Sequence, residues 1–304
     1  MAQQRHPAVG TSDEAPQDAA RAVVEEAARS NPAVPAPEDP TPPPPAETTA
    51  TAAFFDLDNT IIRGAAAFHL AIGLRRRRFF GTWDLMSFGF HQARYLAFGE
   101  NMQQIKQVRS RALSIVAGRS VAEIAAIGEE VWDEVLSLRV FPGTQALLSD
   151  HLEAGHQVWI ITASPVEIGE LIGRRLGVTG ALGTVAEHQD GFYTGALVGD
   201  MLHGRAKAAA AAELAERQGL RLEDCYAYGD SINDVPILSS VGHPVAINPD
   251  VRLRRHAHAV GWPVREFRGR RRRAARSGAQ AASWAGAVWA AGLVLRAARR
   301  ALRG

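Results

Sequence analysis

Three short apolar runs of this chain each end in side chains that can take part in polar chemistry. The first is followed by Asp56 and Asp58, the second ends at Thr162, and the third is followed by Asp230 and Asp234. Two carboxylates two residues apart need not have equal roles, since one can attack an electrophile while the other moves protons. Gathered carboxylates repel each other and an anionic substrate, and a hard cation such as Mg2+ removes that difficulty.

The elements that must position these residues alternate along the chain. Apolar runs and turn signals predict strands over residues 51–56, 157–162, 183–187, 225–229 and 245–248. Helical patterns lie between them, over residues 144–154, 165–176, 205–218 and 233–239. This alternation predicts an α/β fold with a doubly wound parallel sheet, in which ligands bind at the carboxyl ends of the strands. Lys207 lies in the first turn of one predicted helix.

The chain divides by composition into four parts. Residues 1–50 are rich in Ala, Pro and acidic residues and are predicted to be disordered, because they offer little apolar surface to bury. One short helix over residues 18–28 is the exception that the pattern allows, but no partner for it to pack on is evident. Residues 51–64 and 140–265 form the predicted catalytic core. Residues 65–139 have helical periodicity throughout and are predicted to be an inserted helical cap. Residues 266–304 form a basic tail.

Bulk composition excludes some classes of protein. The 304 residues carry a formal net charge of +2, so no overall field favours a nucleic acid or a membrane. Cys225 is the single cysteine, so the chain has no internal disulfide, and its apolar surroundings predict a buried thiol. The N-terminal residues have no signal-peptide pattern, and we expect a cytoplasmic protein.

The ordered motifs resemble those of the haloacid dehalogenase superfamily over residues 51–263. Phosphatases of that superfamily carry an Asp-x-Asp-x-Thr loop, a Thr or Ser after a second strand, a lysine, and a Gly-Asp-x-x-x-Asp loop. The matching residues here are Asp56–Thr60, Thr162, Lys207 and Gly229–Asp234. The resemblance implies a Rossmann-like core with a helical cap, and a Mg2+-dependent phosphatase acting on a small-molecule phosphate ester.

The resemblance also implies a role for each matched residue. Asp56 would attack phosphorus and become an aspartyl phosphate, while Asp58 would protonate the leaving group and then deprotonate water. The ligands of Mg2+ would be the Asp56 carboxylate, the Asp58 backbone carbonyl and the Asp230 carboxylate, with Asp234 orienting the water ligands of the metal. Two side chains would hold the phosphoryl oxygens, namely Thr162 and Lys207.

The predicted cap resembles that of the phosphoserine phosphatase branch. In that branch a Glu nine residues after the nucleophile binds the substrate's amine, and an Arg in the cap binds its carboxylate. Ala65 occupies the first position here, so the acid is missing. The segment 107–113 resembles the arginine segment and places Arg111 at the second position; the alternative is that Arg111 is a helix-surface residue. We therefore expect a substrate other than phosphoserine.

The basic tail has two interpretations. Its uncharged stretch, residues 277–295, lies between arginine-rich flanks and could associate weakly with a membrane as a helix. The other interpretation is a disordered or docked basic tail. No nucleic-acid reading module is recognisable, so we expect no nucleic-acid partner.

Two alternatives to a phosphatase stay open from the sequence. The same aspartyl phosphate could pass its phosphoryl group to an acceptor other than water, which would make the chain a phosphotransferase. The chain could also be a membrane-tethered regulatory protein in which the catalytic scaffold is incidental. The complete motif set argues against the second alternative, since a binding scaffold need not keep both Asp56 and Asp58.

Overall fold

A six-stranded parallel sheet forms the main body of the protein. The computed structural model describes residues 14–30, 50–77, 113–114 and 116–268. The strand order is β3-β2-β1-β6-β7-β8, and every neighbouring pair is parallel. The strands are β1 (Ala52–Phe55), β2 (Gln157–Pro165), β3 (Gly180–Thr184), β6 (Tyr226–Gly229), β7 (His243–Ile247) and β8 (Val264–Arg265). An antiparallel hairpin of β4 (Ala186–Gln189) and β5 (Phe192–Leu197) completes the strands of the described part.

Helices connect the strands and cover both faces of the sheet. They are α1 (Glu14–Ser30), α2 (Ala66–Arg76), α3 (Val121–Val131), α4 (Pro142–Glu153), α5 (Val166–Leu176), α6 (Arg205–Arg217), α7 (Val235–Ser240) and α8 (Val251–Val260). Because side chains alternate along a strand, Phe54 and Trp159 face one core, which α1, α6, α7 and α8 share. Phe55 faces the other side, against His151 of α4. The predicted doubly wound α/β fold is confirmed.

The described part of the predicted cap is helical. Helices α2 and α3 pack together, and α3 continues through a π turn and a 3-10 turn over residues 132–139. Exposed ion pairs join the two helices, since Arg76 binds Glu134 at 2.6 Å and Arg77 binds Glu130. Residues 78–112 of this segment lie outside the described residues.

The prediction of disorder over residues 1–50 is wrong for the segment that forms α1. This 17-residue helix buries Ala20, Val23, Val24 and Ala27 in the core that lies on the Phe54 face of the sheet. It packs against α6 and the edge strand β3. The buried positions have the i, i+3, i+4, i+7 spacing of one helix face, so this stripe supplies the apolar surface that the composition of the segment as a whole does not indicate.

The predicted elements match the observed ones with four differences. The strand predicted over residues 183–187 covers the end of β3 and the start of β4 instead of one strand. Strand β2 continues to Pro165, three residues beyond the predicted end. The helix predicted over residues 233–239 is a 3-10 turn, Ile232–Asp234, followed by α7. The strand predicted to be last, over residues 245–248, is followed by β8, whose two residues are too few to give a periodic pattern. Asp190 and Gly191, both with positive φ, form the turn that joins β4 to β5.

The chain also divides into two compact units, Met1–Arg265 and Glu266–Gly304. Only residues 266–268 of the second unit are described, so the predicted membrane-associating stretch, residues 277–295, lies outside the described residues. Among the residues that are described, no helix combines the length and apolar character needed to cross a membrane.

The docking of α1 predicts a stability effect. Val24 is fully buried, so Val24→Ala removes apolar contacts and should lower the free energy of unfolding by about 2 kcal/mol. Arg21→Ala on the same helix is the control, because its ion pair with Glu25 is exposed and such pairs contribute about 0–1 kcal/mol. Urea denaturation measures the free energy of unfolding of both variants and of the wild type. Equal stability of the Val24→Ala variant and the wild type would show that the helix does not dock in solution.

Candidate active site

The residues singled out from the sequence meet at the carboxyl edge of the sheet. β1 lies between β2 and β6, so the loops that follow these three strands are neighbours. Asp56 follows β1, Thr162 lies near the end of β2, and Asp230 follows β6. The sheet order therefore brings together three motifs that are separated by up to about 170 residues of sequence.

A buried ion-pair network lies at the centre of this edge. Lys207, in the first turn of α6, is 5% exposed, and its Nζ donates to Asp56 Oδ1 at 2.6 Å and to Asp234 Oδ1 at 2.8 Å. Burial alone would lower the pKa of Lys207, but the two carboxylates outweigh it and raise that pKa above its usual value. The ammonium group is therefore held charged between two acids.

The same surroundings shift the pKa of Asp56, the candidate nucleophile. Burial raises the pKa of Asp56 to about 7, and Lys207 opposes the rise, whereas Asp234 and Asp58 add to it. The backbone N–H of Asp56 donates to the Tyr228 carbonyl at 2.8 Å, which fixes the residue against β6. An ionised Asp56 thus requires nearby positive charge.

Asp58 is held at both carboxylate oxygens. Its Oδ1 accepts from the Ala66 N–H at 2.8 Å, and its Oδ2 accepts from the Ser164 hydroxyl at 3.2 Å. Burial raises the pKa of Asp58, while the Ala66 N–H lowers it. Between the two acids and α2 the chain turns sharply at Asn59, whose φ of 59° lies in the left-handed region that Asn tolerates better than most residues.

Thr162 is fully buried near the end of β2. Its Oγ1 accepts a hydrogen bond from the Ser164 N–H at 3.0 Å. Since a hydroxyl both donates and accepts, this contact leaves the proton of Thr162 available for an oxygen of a bound group.

The loop after β6 is shaped by a close contact at Gly229. A Cβ built on Gly229 would lie 2.6 Å from Asp234 Cβ, so a side chain there would displace Asp234. The Asp234 carboxylate also accepts from the Ser231 N–H at 3.2 Å, and Ser231 in turn caps the 3-10 turn. Glycine at this position lets Asp234 lie against the strand end while it binds Lys207.

The donor set fits a divalent cation. Carboxylate oxygens of Asp56, Asp230 and Asp234 all lie within 4.8 Å of one another. The three acids and the single ammonium of Lys207 would together carry a charge of −2 when ionised. Mg2+ binds through one or two carboxylates, waters and substrate oxygens, so these residues are suited to hold it.

Sequence reasoning missed several residues that shape the site. Asn248 Nδ2 donates to the Asn59 carbonyl at 3.0 Å, and Asp250 Oδ2 accepts from the Ile232 N–H at 3.1 Å. Both residues follow β7 at the same edge of the sheet, which is the signal that could have identified them. Ser164 lies two residues beyond Thr162, and the motif itself does not single it out. Arg111, predicted to bind substrate, lies outside the described residues.

A second layer lies behind the acids, on the Phe55 face of the sheet. The Phe55 ring stacks on Tyr228 with centroids 4.2 Å apart, and the Tyr228 hydroxyl lies 2.7 Å from His151 Nε2. His151 Nδ1 lies 2.8 Å from His156 Nδ1. Burial and the neighbouring His156 lower the pKa of His151 to about 4, while Asp150 opposes the change. A neutral His151 therefore supports Phe55 and Tyr228, which lie one residue before Asp56 and two residues before Asp230.

Comparisons with known proteins agree with this geometry. Residues 53–239 match the model of the haloacid dehalogenase-like hydrolases. The phosphoserine phosphatase SerB1 of Mycobacterium tuberculosis (strain ATCC 25618 / H37Rv) is 50% identical over 253 residues, covering 83% of this chain and 82% of the relative. A structure of a protein of unknown function from Bordetella pertussis Tohama I has 30% identity and a TM-score of 0.65, and it covers 72% of this chain and 100% of the other.

A further structure supports the fold alone. A phosphoaspartyl intermediate analogue of phosphoserine phosphatase has a TM-score of 0.54 at 17% identity, covering 76% of this chain and 99% of the other.

The chain belongs to the haloacid dehalogenase-like hydrolase family. Within that family it is a phosphatase.

The His151 layer predicts a pH effect on stability. In the unfolded chain a histidine titrates near 6.5, whereas the folded pKa of His151 is about 4. Between these values the unfolded state binds the extra proton, so the contribution of His151 to stability falls as the pH falls, with a slope of up to about 1.4 kcal/mol per pH unit. His151→Gln should remove this pH-dependent contribution to the free energy of unfolding.

The comparison between the two proteins isolates His151. Asp56, whose folded pKa of about 7 lies above its ordinary value, titrates in the same range with the opposite sign, and it contributes equally to both proteins. Urea denaturation at intervals from pH 7 to pH 5 should therefore give a stability difference between wild type and His151→Gln that shrinks toward acid pH. A constant difference would contradict the assignment of a neutral His151.

Proposed function

We propose that this chain hydrolyses a phosphate monoester with the help of Mg2+, through a phosphoaspartyl intermediate on Asp56. The observation that supports this most is the placement of Asp56 beside Lys207, within a cluster of three acids at the sheet edge. A reactive carboxylate, a fixed positive charge and a donor set for a hard cation are what phosphoryl transfer requires.

In the first step Asp56 attacks phosphorus. A bond forms between its carboxylate oxygen and phosphorus while the bond to the leaving oxygen breaks, and Asp58 gives that oxygen a proton. Lys207 stabilises the ionised form of Asp56 from 2.6 Å. The Thr162 hydroxyl, whose oxygen accepts from the Ser164 N–H, donates to a phosphoryl oxygen.

In the second step water attacks the aspartyl phosphate. Asp58, now ionised, takes a proton from the water as the bond between phosphorus and the Asp56 oxygen breaks. The two contacts that hold Asp58 involve different oxygens, so its carboxylate keeps one orientation in both steps. The same group can therefore serve as acid and then as base.

The residues that would hold Mg2+ are the Asp56 and Asp230 carboxylates and the Asp58 carbonyl, with Asp234 orienting the metal's water ligands. When bound, the ion supplies the positive charge that three neighbouring acids and a phosphate group need. The Asp234 carboxylate is held in place by Lys207 and by the Ser231 N–H. A fixed carboxylate of this kind is suited to orienting the water ligands of a metal.

Transfer to an acceptor other than water uses the same intermediate. The match of residues 53–239 to a family of hydrolases supports water as the acceptor, so hydrolysis is the proposal. Product analysis in the presence of competing alcohols separates the two activities, because a phosphotransferase would form a new phosphate ester.

Asp56→Asn tests the proposed mechanism. An amide is not a competent nucleophile, so the variant should keep less than about a hundredth of wild-type turnover on a generic phosphate monoester. Acid quenching with a radiolabelled substrate should trap a phosphoenzyme in the wild type and none in the variant. Thermal unfolding of both proteins controls for the fold. Turnover near the wild-type level in Asp56→Asn would remove Asp56 as the nucleophile.

The same assay tests the requirement for a cation. Activity should vanish in excess chelator and return with Mg2+, while Ca2+ should inhibit, because it takes more oxygen ligands and can draw Asp56 away from in-line attack. Asp230→Asn should raise the Mg2+ concentration needed for half-maximal activity. Full activity in excess chelator would contradict the role of Asp230.

We further propose that phosphoserine is not the preferred substrate. Ala65 is the residue before α2, and no acidic residue occurs from Ile61 to Arg77. A substrate ammonium group enclosed there would lack a carboxylate partner, and an unpaired buried charge costs several kcal/mol. The competing candidate is phosphoserine itself, which the name of the mycobacterial relative favours.

Ala65→Glu separates these two candidates. In the wild type, kcat/KM for phosphoserine should be at least about tenfold below that for the best other monoester. Ala65→Glu should raise kcat/KM for phosphoserine relative to kcat/KM for monoesters whose alcohol part is uncharged, because it supplies the missing carboxylate. Ala67→Glu, two residues along the same segment, is the matched control and should leave the ratio unchanged. Phosphoserine as clearly the best substrate of the wild type would refute the proposal.

The role of Arg111 is tested in the same assay. If Arg111 binds an anionic group of the substrate, Arg111→Ala should raise KM for the preferred substrate, because a charge-assisted contact is lost. Unchanged kinetics would assign Arg111 to the helix surface.

A further inference from the structure

Strand β2 has an irregular end that changes the direction of its last side chains. The pairing of β2 with β3 is regular from Trp159 to Ile161 and then shifts before Pro165 pairs with Thr184. Such an irregularity re-aims the residues within it. The residues in the shifted part are 162–164. The irregularity therefore affects the direction of Ser164 as well as that of the motif residue Thr162.

Ser164 connects two residues of the reaction. It is 4% exposed, its backbone N–H donates to Thr162 Oγ1 at 3.0 Å, and its hydroxyl donates to Asp58 Oδ2 at 3.2 Å. The other oxygen of Asp58 accepts from the Ala66 N–H at 2.8 Å. Asp58 is therefore held between β2 and the first residue of α2, with one contact to each oxygen.

The position of Ser164 is fixed from the opposite side by β3. The Thr184 hydroxyl donates to the Ala163 carbonyl at 2.8 Å and accepts from the Leu202 N–H at 3.1 Å. A Cβ on Gly183 would lie 2.5 Å from Val166 Cα, so the absence of a side chain lets the chain after Ser164 approach β3. These contacts leave Ser164 little freedom to move away from Asp58.

We infer that Ser164 is a positioning residue for Asp58, which it holds toward the leaving-group oxygen during phosphoryl transfer. The inference rests on the proposed function. In the first step the proton passes from Asp58 to the leaving oxygen as its bond to phosphorus breaks and the Asp56–phosphorus bond forms. Because a hydroxyl can donate and accept, Ser164 can stay hydrogen-bonded to Asp58 Oδ2 whether or not that oxygen carries the proton, while the Ala66 N–H stays on Oδ1.

The leaving group provides a readout specific to this role. A substrate with a poor leaving group, such as an alkyl phosphate, depends on proton donation, whereas p-nitrophenyl phosphate releases a stable anion and needs little. The value of kcat/KM includes the departure of the leaving group in both cases. A loss of positioning at Asp58 therefore lowers kcat/KM for the first substrate more than for the second, while general damage to the site lowers both alike.

The test compares kcat/KM for glycerol phosphate and p-nitrophenyl phosphate in four proteins. Ser164→Ala should lower kcat/KM about tenfold or more for glycerol phosphate and less than about threefold for p-nitrophenyl phosphate. Ser164→Thr, which keeps the hydroxyl, should retain the wild-type ratio of the two values. Ser240→Ala is the matched control, because it removes a hydroxyl that donates to the Ile237 carbonyl instead. It should change neither value.

The outcomes separate this inference from the proposed function. An equal fall for both substrates in Ser164→Ala, or no fall for either, would overturn the positioning role while leaving the mechanism on Asp56 intact. Undiminished turnover by Asp56→Asn would overturn both. If Ser164→Ala does not fold, Ser164→Cys puts a weakly hydrogen-bonding thiol of similar shape in place of the hydroxyl, and its two kcat/KM values decide the question by the same comparison.

Discussion

A buried lysine between two carboxylates is the interaction on which the rest of the site depends. Lys207 binds Asp56 and Asp234 at hydrogen-bond distance in surroundings from which water is largely excluded. A charge buried without a partner is costly, and removing one member of a buried pair costs about 3–5 kcal/mol. Each of the two carboxylates therefore requires Lys207, and the buried Lys207 requires a carboxylate partner. Since they come from β1, from α6 and from the loop after β6, the network also ties these elements to one edge of the sheet.

The sheet order makes that network possible. Because β1 is central, with β2 on one side and β6 on the other, the residues that follow these strands lie side by side without any long excursion of the chain. Close contacts then refine the arrangement. Gly229 allows Asp234 to lie against β6, and Gly183 allows the end of β2 to approach β3. Small residues at two strand ends thus permit the polar side chains to converge.

The sequence predicted what depends on local pattern and did not predict what depends on distant partners. The motifs at Asp56, Thr162 and Asp230 lie at the ends of apolar runs, and Lys207 lies in the first turn of a predicted helix, so their places in an α/β fold could be inferred. Helix α1 has a readable stripe of small apolar residues, but its partners α6 and β3 begin about 150 residues later, and nothing local identifies them. The contacts of Ser164 and Asn248 depend on the final bend of a strand and on a left-handed residue, and neither leaves a periodic signal.

Asp58 joins the chemistry of the core to the segment expected to recognise the substrate. The residue before α2 is Ala65, which has no side chain able to cap a helix. The Asp58 carboxylate takes that role by accepting the N–H of Ala66, the first residue of the helix, where a negative charge is also favoured by the helix dipole. The group proposed to move the proton is therefore the group that anchors the first cap helix. A change in the position of α2 would therefore alter the orientation of Asp58 and, in the proposed mechanism, its readiness for proton transfer.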